Sequence, residues 1–123
     1  MKTSSTVSNY EDFVLYHVME ICSRHKNLRD FCHPVLFRLM DYDKKHNTSF
    51  LRSLYVFLNY APDLSSAAKA LHIHRNSLKY RIEKIQKIIN RDLNDRSLQL
   101  NLHFSFRILE YIDDEEYRKV FKG

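Results

Sequence analysis

The chain has 123 residues, enough for one domain, or one domain with a fragment of another, and enough to bury a single core without disulfide support. Apolar residues make up 44% and charged residues 28%, which are ordinary globular values, and a single glycine at position 123 with two prolines, Pro34 and Pro62, leaves little material for hairpin turns or glycine-rich phosphate loops. No apolar run reaches the roughly eighteen residues of a membrane span, the first ten residues are too polar for a signal peptide, and the formal net charge is a modest +5, so the expectation is an all-α, cytoplasmic protein with no membrane partner.

Residues 1–9 read as a disordered lead-in. Ser8 or Asn9 ahead of Glu11 and Asp12 predicts a helix start, and Phe13, Val14, Val18, Ile21 and Cys22 recur at helical spacing to about His25. Cys22 and Cys32 lack the flanking Cys/His pairs of a zinc site and read as reduced core thiols. A second helix is expected from Pro34, whose fixed φ suits a first turn, through Val35, Leu36, Leu39 and Met40 to about His46. Residues 10–47 thus form an N-terminal helical segment. Thr48 or Ser49 then caps a third helix carrying Leu51, Leu54, Tyr55 and Leu58, which Tyr60-Ala61-Pro62-Asp63 stops.

Between Leu64 and Ile89 the chain reads L-S-S-A-A-K-A-L-H-I-H-R-N-S-L-K-Y-R-I-E-K-I-Q-K-I-I, a short alanine-rich helix, a tight turn and a longer polar and basic helix. Ser65 is the expected cap of the first helix. Ala67 and Ala68 are small enough to let a second helix cross closely, while Leu71, Ile73, Leu78 and Ile82 are spaced to fill the angle between the two. In the longer helix Leu78, Ile82, Ile85 and Ile89 share one stripe, and Asn90 suits a left-handed cap. From Leu98 to Ile108 apolar and polar residues alternate as in a strand. No second strand exists for it to pair with, so a helix is predicted, with an apolar arc of about 240° that suggests a second copy of the chain as partner and uses Ser105 for close approach. Residues 113–123, with Asp113, Asp114, Glu115 and Glu116, read as a solvated, charged tail.

A helix-turn-helix makes double-stranded DNA the expected partner, and the charge agrees. From Leu64 to Arg91 seven basic residues face one acidic residue, Glu83, a local +6 that exceeds the net charge of the whole chain. On the recognition helix, about 75–89, Asn76 can pair two hydrogen bonds with adenine, Arg75 or Lys79 can take guanine, and Tyr80 can reach a phosphate or a thymine methyl, with Ser77 on the same outward side. Arg81, Lys84 and Lys87 are placed for backbone charge. The N–H groups at the start of the Ser65 helix, with the Ser65 and Ser66 hydroxyls, form a candidate phosphate site. His74 either donates to a phosphate or fills the turn against Leu71.

The run A-K-A-L-H-I-H-R-N-S-L-K-Y-R-I-E-K-I, followed by R-D-L-N-D and L-Q-L-N-L, resembles the C-terminal DNA-binding domain of the purine catabolism regulator (PucR) family, which includes the carbohydrate diacid regulators (CdaR-like). The H-R-N-S-L-K-Y-R core is its most specific part. P-V-L-F-R-L-M-D-Y-D-K-K-H-N-T-S-F-L-R-S-L resembles the segment that precedes this domain in the family, so the likeness covers roughly Leu28 to Ile112. The resemblance implies a bacterial transcription regulator whose DNA-binding domain, here 48–112, lies behind larger sensory domains. The chain is then either a fragment of a longer regulator, with residues 10–47 the tail of the preceding module, or a short free-standing member. Asn90 replaces the family's usual glycine, Ser77 the commoner threonine, and Arg96-Ser97 a usual Pro-Glu that would start the last helix more sharply.

Seven histidines and several carboxylates raise the question of an enzyme, but their spacing answers it. His17 and His25, His72 and His74, and Asp41 and Asp43 are not on ligand-forming offsets with a third partner, and no nucleophile has an adjacent base. No catalytic residue, metal or cofactor is expected. The rival function is a helical dimerisation module without DNA binding, and the apolar arc of the 98–112 segment supports it.

Overall fold

A computed structural model describes residues 9–122. All regular structure among them is helical: α1 (Tyr10–Ser23), a 3-10 turn (Leu28–Phe31), α2 (Pro34–His46), α3 (Phe50–Tyr60), α4 (Leu64–Ala70), α5 (Arg75–Ile89), α6 (Arg96–Ile112) and α7 (Glu115–Phe121). The lead-in expected over residues 1–9 lies, but for Asn9, outside the described residues. Asn9 itself caps α1, its side chain accepting the Asp12 N–H at 2.8 Å.

One hydrophobic core draws on every long helix. Leu36 and Leu39 of α2, Leu54 of α3, Ile85 and Ile89 of α5, and Leu102 and Leu109 of α6 are all essentially removed from solvent. The segment before residue 48 therefore shares its core with the segment after it. Cys32 lies in this core as a free thiol, and burial pushes its pKa up to about 11.

The helix ends are set by side chains, and several caps differ from expectation. The chain turns at Asn47 in the left-handed region, φ 54°, which brings Asp43 of α2 back over the start of α3. Asp43, rather than Thr48 or Ser49, then accepts the Phe50 N–H at 2.8 Å and the Leu51 N–H at 3.0 Å, and it also accepts the Thr48 hydroxyl. Ser65 is likewise not a cap. Helix α4 starts one residue before it, and Asp63 accepts the Ser66 N–H at 3.0 Å and the Ser66 hydroxyl at 2.6 Å. Asn90 does take the left-handed conformation at the end of α5, φ 56°. Helix α6 starts sharply without Pro-Glu because Asp95 accepts the Leu98 N–H.

The alternating segment is helix α6, as the missing strand partner requires. Only part of its wide apolar arc is free, however. Leu98, Leu102, Phe106, Ile108 and Leu109 enter the core, whereas Leu100 is 70% and Phe104 39% exposed. Ser105 does not await a second copy: it is buried, its hydroxyl accepting the His33 N–H at 2.8 Å and donating to the Asn101 carbonyl at 2.8 Å. Close approach at this small residue is used within the chain, to dock the turn before α2.

Residues 113–123 are not simply a solvated tail. Asp113 turns left-handed, Asp114 sits at the N-cap, and Glu115–Phe121 folds as α7, burying Tyr117 and Val120 against the rest of the core. The acidic residues lie on its outer side, and Arg52 of α3 donates to the Val120 carbonyl at 2.7 Å at its far end. The signal was present in the i, i+3, i+4 spacing of Tyr117, Val120 and Phe121, which a count of charges conceals.

Helix α1 joins the body by a narrow seam. Asp12 pairs with Arg107 at 2.6 Å, the Tyr16 and Tyr111 rings meet at 5.4 Å, and Met19 is buried. Most of the apolar stripe noted in the sequence points away: Phe13, Val14, Val18 and Ile21 are all exposed.

Two outcomes follow from this architecture. Leu54→Ala, which empties a fully buried site between α3 and its neighbours, is expected to lower stability by about 2–5 kcal/mol in chemical denaturation. The Asp63 carboxyl is held below its usual range by the Ser66 hydroxyl and N–H, and that of Asp95 by the Leu98 N–H. Their capping is therefore complete above the unfolded carboxylate value near pH 4 and is lost as pH falls through the lower folded values. Asp63→Asn with Asp95→Asn, which cap without titrating, should flatten the fall of melting temperature between about pH 5 and pH 2.

Candidate nucleic-acid interface

Helices α3, α4 and α5 enclose a small core of their own. Ala67 and Ala68 are 0% and 2% exposed and pack with Val56 of α3 and Leu78 of α5, while Leu71, Ile73 and Ile82 close the edges. A larger side chain at either alanine would push α5 off α4, so these two methyl groups set the crossing. The turn between the helices is closed by the backbone. The Leu71 N–H donates to Ala67 and Ala68, the His72 N–H to the Lys69 carbonyl and the Ile73 N–H to the Ala68 carbonyl. His72 takes φ 58°, a left-handed position that glycine would fill without steric cost.

His74 is the N-cap of α5. Its Nδ1 accepts the Asn76 N–H at 3.0 Å, so in the neutral ring Nε2 carries the proton, and the ring is exposed rather than packed into the turn. From this cap α5 runs with Leu78, Ile85 and Ile89 buried and Ile82 half-buried on one side. On the other side Arg75, Asn76, Ser77, Lys79 and Lys87 are exposed, Tyr80 is 61% exposed, and Lys84 is half-buried. Glu83 lies among them, one turn from both Lys79 and Lys87. None of Lys69, Arg75, Lys79, Lys84 and Lys87 stands within ion-pair distance of a carboxylate among the described residues, so their charge is presented to solvent.

Two of the expected contacts are used otherwise. Arg81 does not face the same way as its neighbours: half-buried, it donates to the Ser53 hydroxyl of α3 at 3.0 Å and holds α5 to the body. The expected phosphate site at the start of α4 is filled by the Asp63 carboxylate, which takes the N–H and hydroxyl of Ser66 and repels an incoming anion, leaving the exposed Ser65 hydroxyl beside it. An aspartate three residues before Ser66 is itself a capping signal, and would have identified this from sequence.

The far end of α5 is fixed by residues without an obvious motif. Arg38 of α2 donates to the Ile89 carbonyl at 3.0 Å. Gln86 accepts the Leu93 N–H at 2.8 Å while Gln99 donates to the Leu93 carbonyl at 2.6 Å, tying α5 to α6 through buried Leu93. The helix is thus held along its length by α2, α3 and α6, with one long side uncovered. Among the described residues no three His, Cys, Asp or Glu side chains are grouped to hold a metal, and no helix is long and apolar enough to cross a membrane.

Residues 50–108 match the model of the PucR C-terminal helix-turn-helix domain. Three proteins of Bacillus subtilis strain 168 are similar to the chain. The purine catabolism regulatory protein is 29% identical over 87 residues, 71% of this chain and 16% of that protein. The DNA-binding transcriptional activator AdeR is 21% identical over 100 residues, 81% of this chain and 24% of AdeR. The proline-responsive transcriptional activator PutR is 25% identical over 101 residues, 82% of this chain and 25% of PutR. The chain thus spans a quarter or less of the length of these relatives. No solved structure matches it. With α3, α4 and α5 packed as a helix-turn-helix inside that matched span, residues 50–108 of this all-α chain form a helix-turn-helix domain similar to the C-terminal domain of the PucR family.

Proposed function

We propose that the chain binds double-stranded DNA sequence-specifically as a bacterial, cytoplasmic transcription regulator, with α5 in the major groove and two copies on a two-fold operator. The observation that carries this reading is the uncovered side of α5, where Arg75, Asn76, Lys79 and Tyr80 share one exposed surface with no ion pair among the described residues. Asn76 is assigned to adenine, Arg75 or Lys79 to guanine, and Tyr80 to a phosphate or thymine methyl, with Ser77 beside them. Lys84 and Lys87 neutralise phosphates, joined by the Nε2–H of His74, while Ser65, beside the Asp63 carboxylate, is left out of the phosphate contacts. Ser66 and Arg81 act by positioning, through Asp63 and Ser53. The role is binding and not catalysis. The relatives' much greater length supports a sensory region upstream of a domain like this one, with residues 10–47 at its junction.

Exposed Leu100 and Phe104 favour a second reading, a dimerisation module that does not touch DNA. Salt separates the two, because releasing counterions makes the logarithm of duplex affinity fall linearly with that of salt concentration, by about 0.9 per phosphate neutralised, whereas an adaptor gives no duplex binding at all. On duplexes bearing a footprinted site, Asn76→Ala is expected to erase about 1–3 kcal/mol of sequence preference. Lys84→Ala should weaken every duplex alike and reduce the salt slope by about 1. Identical behaviour of the two variants would overturn the division between reading and anchoring.

A further inference from the structure

Helix α1 is apolar on both sides but packed on only one. Met19 is 3% exposed against the body. At ~100° per residue, Tyr10, Val14, His17 and Ile21 fall within roughly 60° of one another on the opposite side, with Phe13 and Val18 on its edges. Tyr10 is 74%, Phe13 47%, Val14 38%, Val18 45% and Ile21 52% exposed. A helix with two apolar sides, here divided by Glu11 and Glu20, normally buries both of them. These five side chains surround His17 in a mostly apolar exposed patch, the kind of surface that marks an interaction site on a monomer.

We infer that the outward side of α1 is a self-complementary interface, on which a second copy of this chain packs its own α1 antiparallel about a two-fold axis near Val18. Charge decides for a second copy and for the orientation. The exposed ends of α1 are opposite in sign: Glu11 opens the helix, while Lys26 follows its close beside Arg24, which pairs with Glu20 at 2.8 Å. An antiparallel pair brings Glu11 of each copy beside the basic end of the other and sets the helix dipoles head to tail. A parallel pair would place Glu11 against Glu11 and the basic ends together. The same register sets Val14 against the partner's Ile21, so that one patch meets itself, as a two-fold contact requires. The inference rests on the two-copy part of the proposal above and is independent of DNA contact. It moves the interface away from the 98–112 arc, where Ser105 is already used.

Sedimentation equilibrium of the full 123-residue chain without DNA tests it. The wild type is expected to be a dimer, and Val14→Glu with Ile21→Glu a monomer with unchanged helical circular dichroism, since both side chains are exposed. Leu100→Glu should remain a dimer. In a Cys22→Ser background, Val18→Cys should give a disulfide-linked dimer on mild oxidation, while Tyr10→Cys, about 20 Å from its mate in the antiparallel pair, should not. A wild-type monomer would overturn the two-copy reading itself. A dimer that survives the α1 changes, or is lost with Leu100→Glu, would overturn the α1 assignment while leaving that reading standing. Crosslinking at Tyr10→Cys in place of Val18→Cys would overturn the orientation.

Discussion

The contact of α4 with α5 across Ala67 and Ala68 is the constraint on which the rest depends. Both methyl groups are buried in a small cluster with Leu78 and Val56, closed by Leu71, Ile73 and Ile82. Because these buried methyl groups leave no room for larger side chains, the direction in which α5 leaves the body is fixed too. Everything that presents its uncovered side to solvent is built outward from there: the His74 cap in front, Arg38 at the back, and the Gln86, Leu93 and Gln99 brace alongside. A groove-reading helix gains from being held rigidly, since ordering it on contact with DNA would subtract from binding.

Apart from the arginines held in ion pairs, such as Arg107 with Asp12, arginine does two kinds of work in this molecule, sorted by position on a helix. Arg38, Arg52 and Arg81 point toward neighbouring elements: the first two end on last-turn carbonyls of α5 and α7, where a planar guanidinium replaces a missing helix hydrogen bond, and Arg81 ends on the Ser53 hydroxyl of α3. Arg75 stands on the outside of the first turn of α5 without such a partner. The formal charge of the 64–91 segment therefore overstates what reaches an anionic surface. Arg81 counts toward the sum but is turned inward, and Glu83 sits in the middle of the outward side.

Helix existence was legible from residue periodicity wherever one stripe met one core, as in α2, α3 and α5. It was legible even for α6, where the period pointed to a strand and only the absence of a pairing partner decided otherwise. The cap of α5 at Asn90 could be read because asparagine tolerates the left-handed region. What could not be read were groups acting at a distance. Asp43 caps a helix to which it does not belong, and Arg81 breaks rank with the basic residues around it. Charge hid the apolar positions of α7. In α1 and α6 periodicity identified an apolar residue without saying which neighbour, if any, it meets.

The cap supplied by Asp43 also says where this domain can be cut. The matched helix-turn-helix domain starts at residue 50, yet the first amides of α3 are satisfied by a carboxylate seven and eight positions earlier, and the core beneath them includes Leu36 and Leu39. Excising the matched span alone would strip α3 of its cap and leave Leu54, Ile89 and Leu102 facing water. The packing unit is longer than the matched span, and any transplantation of this helix-turn-helix onto another protein has to carry α2 with it.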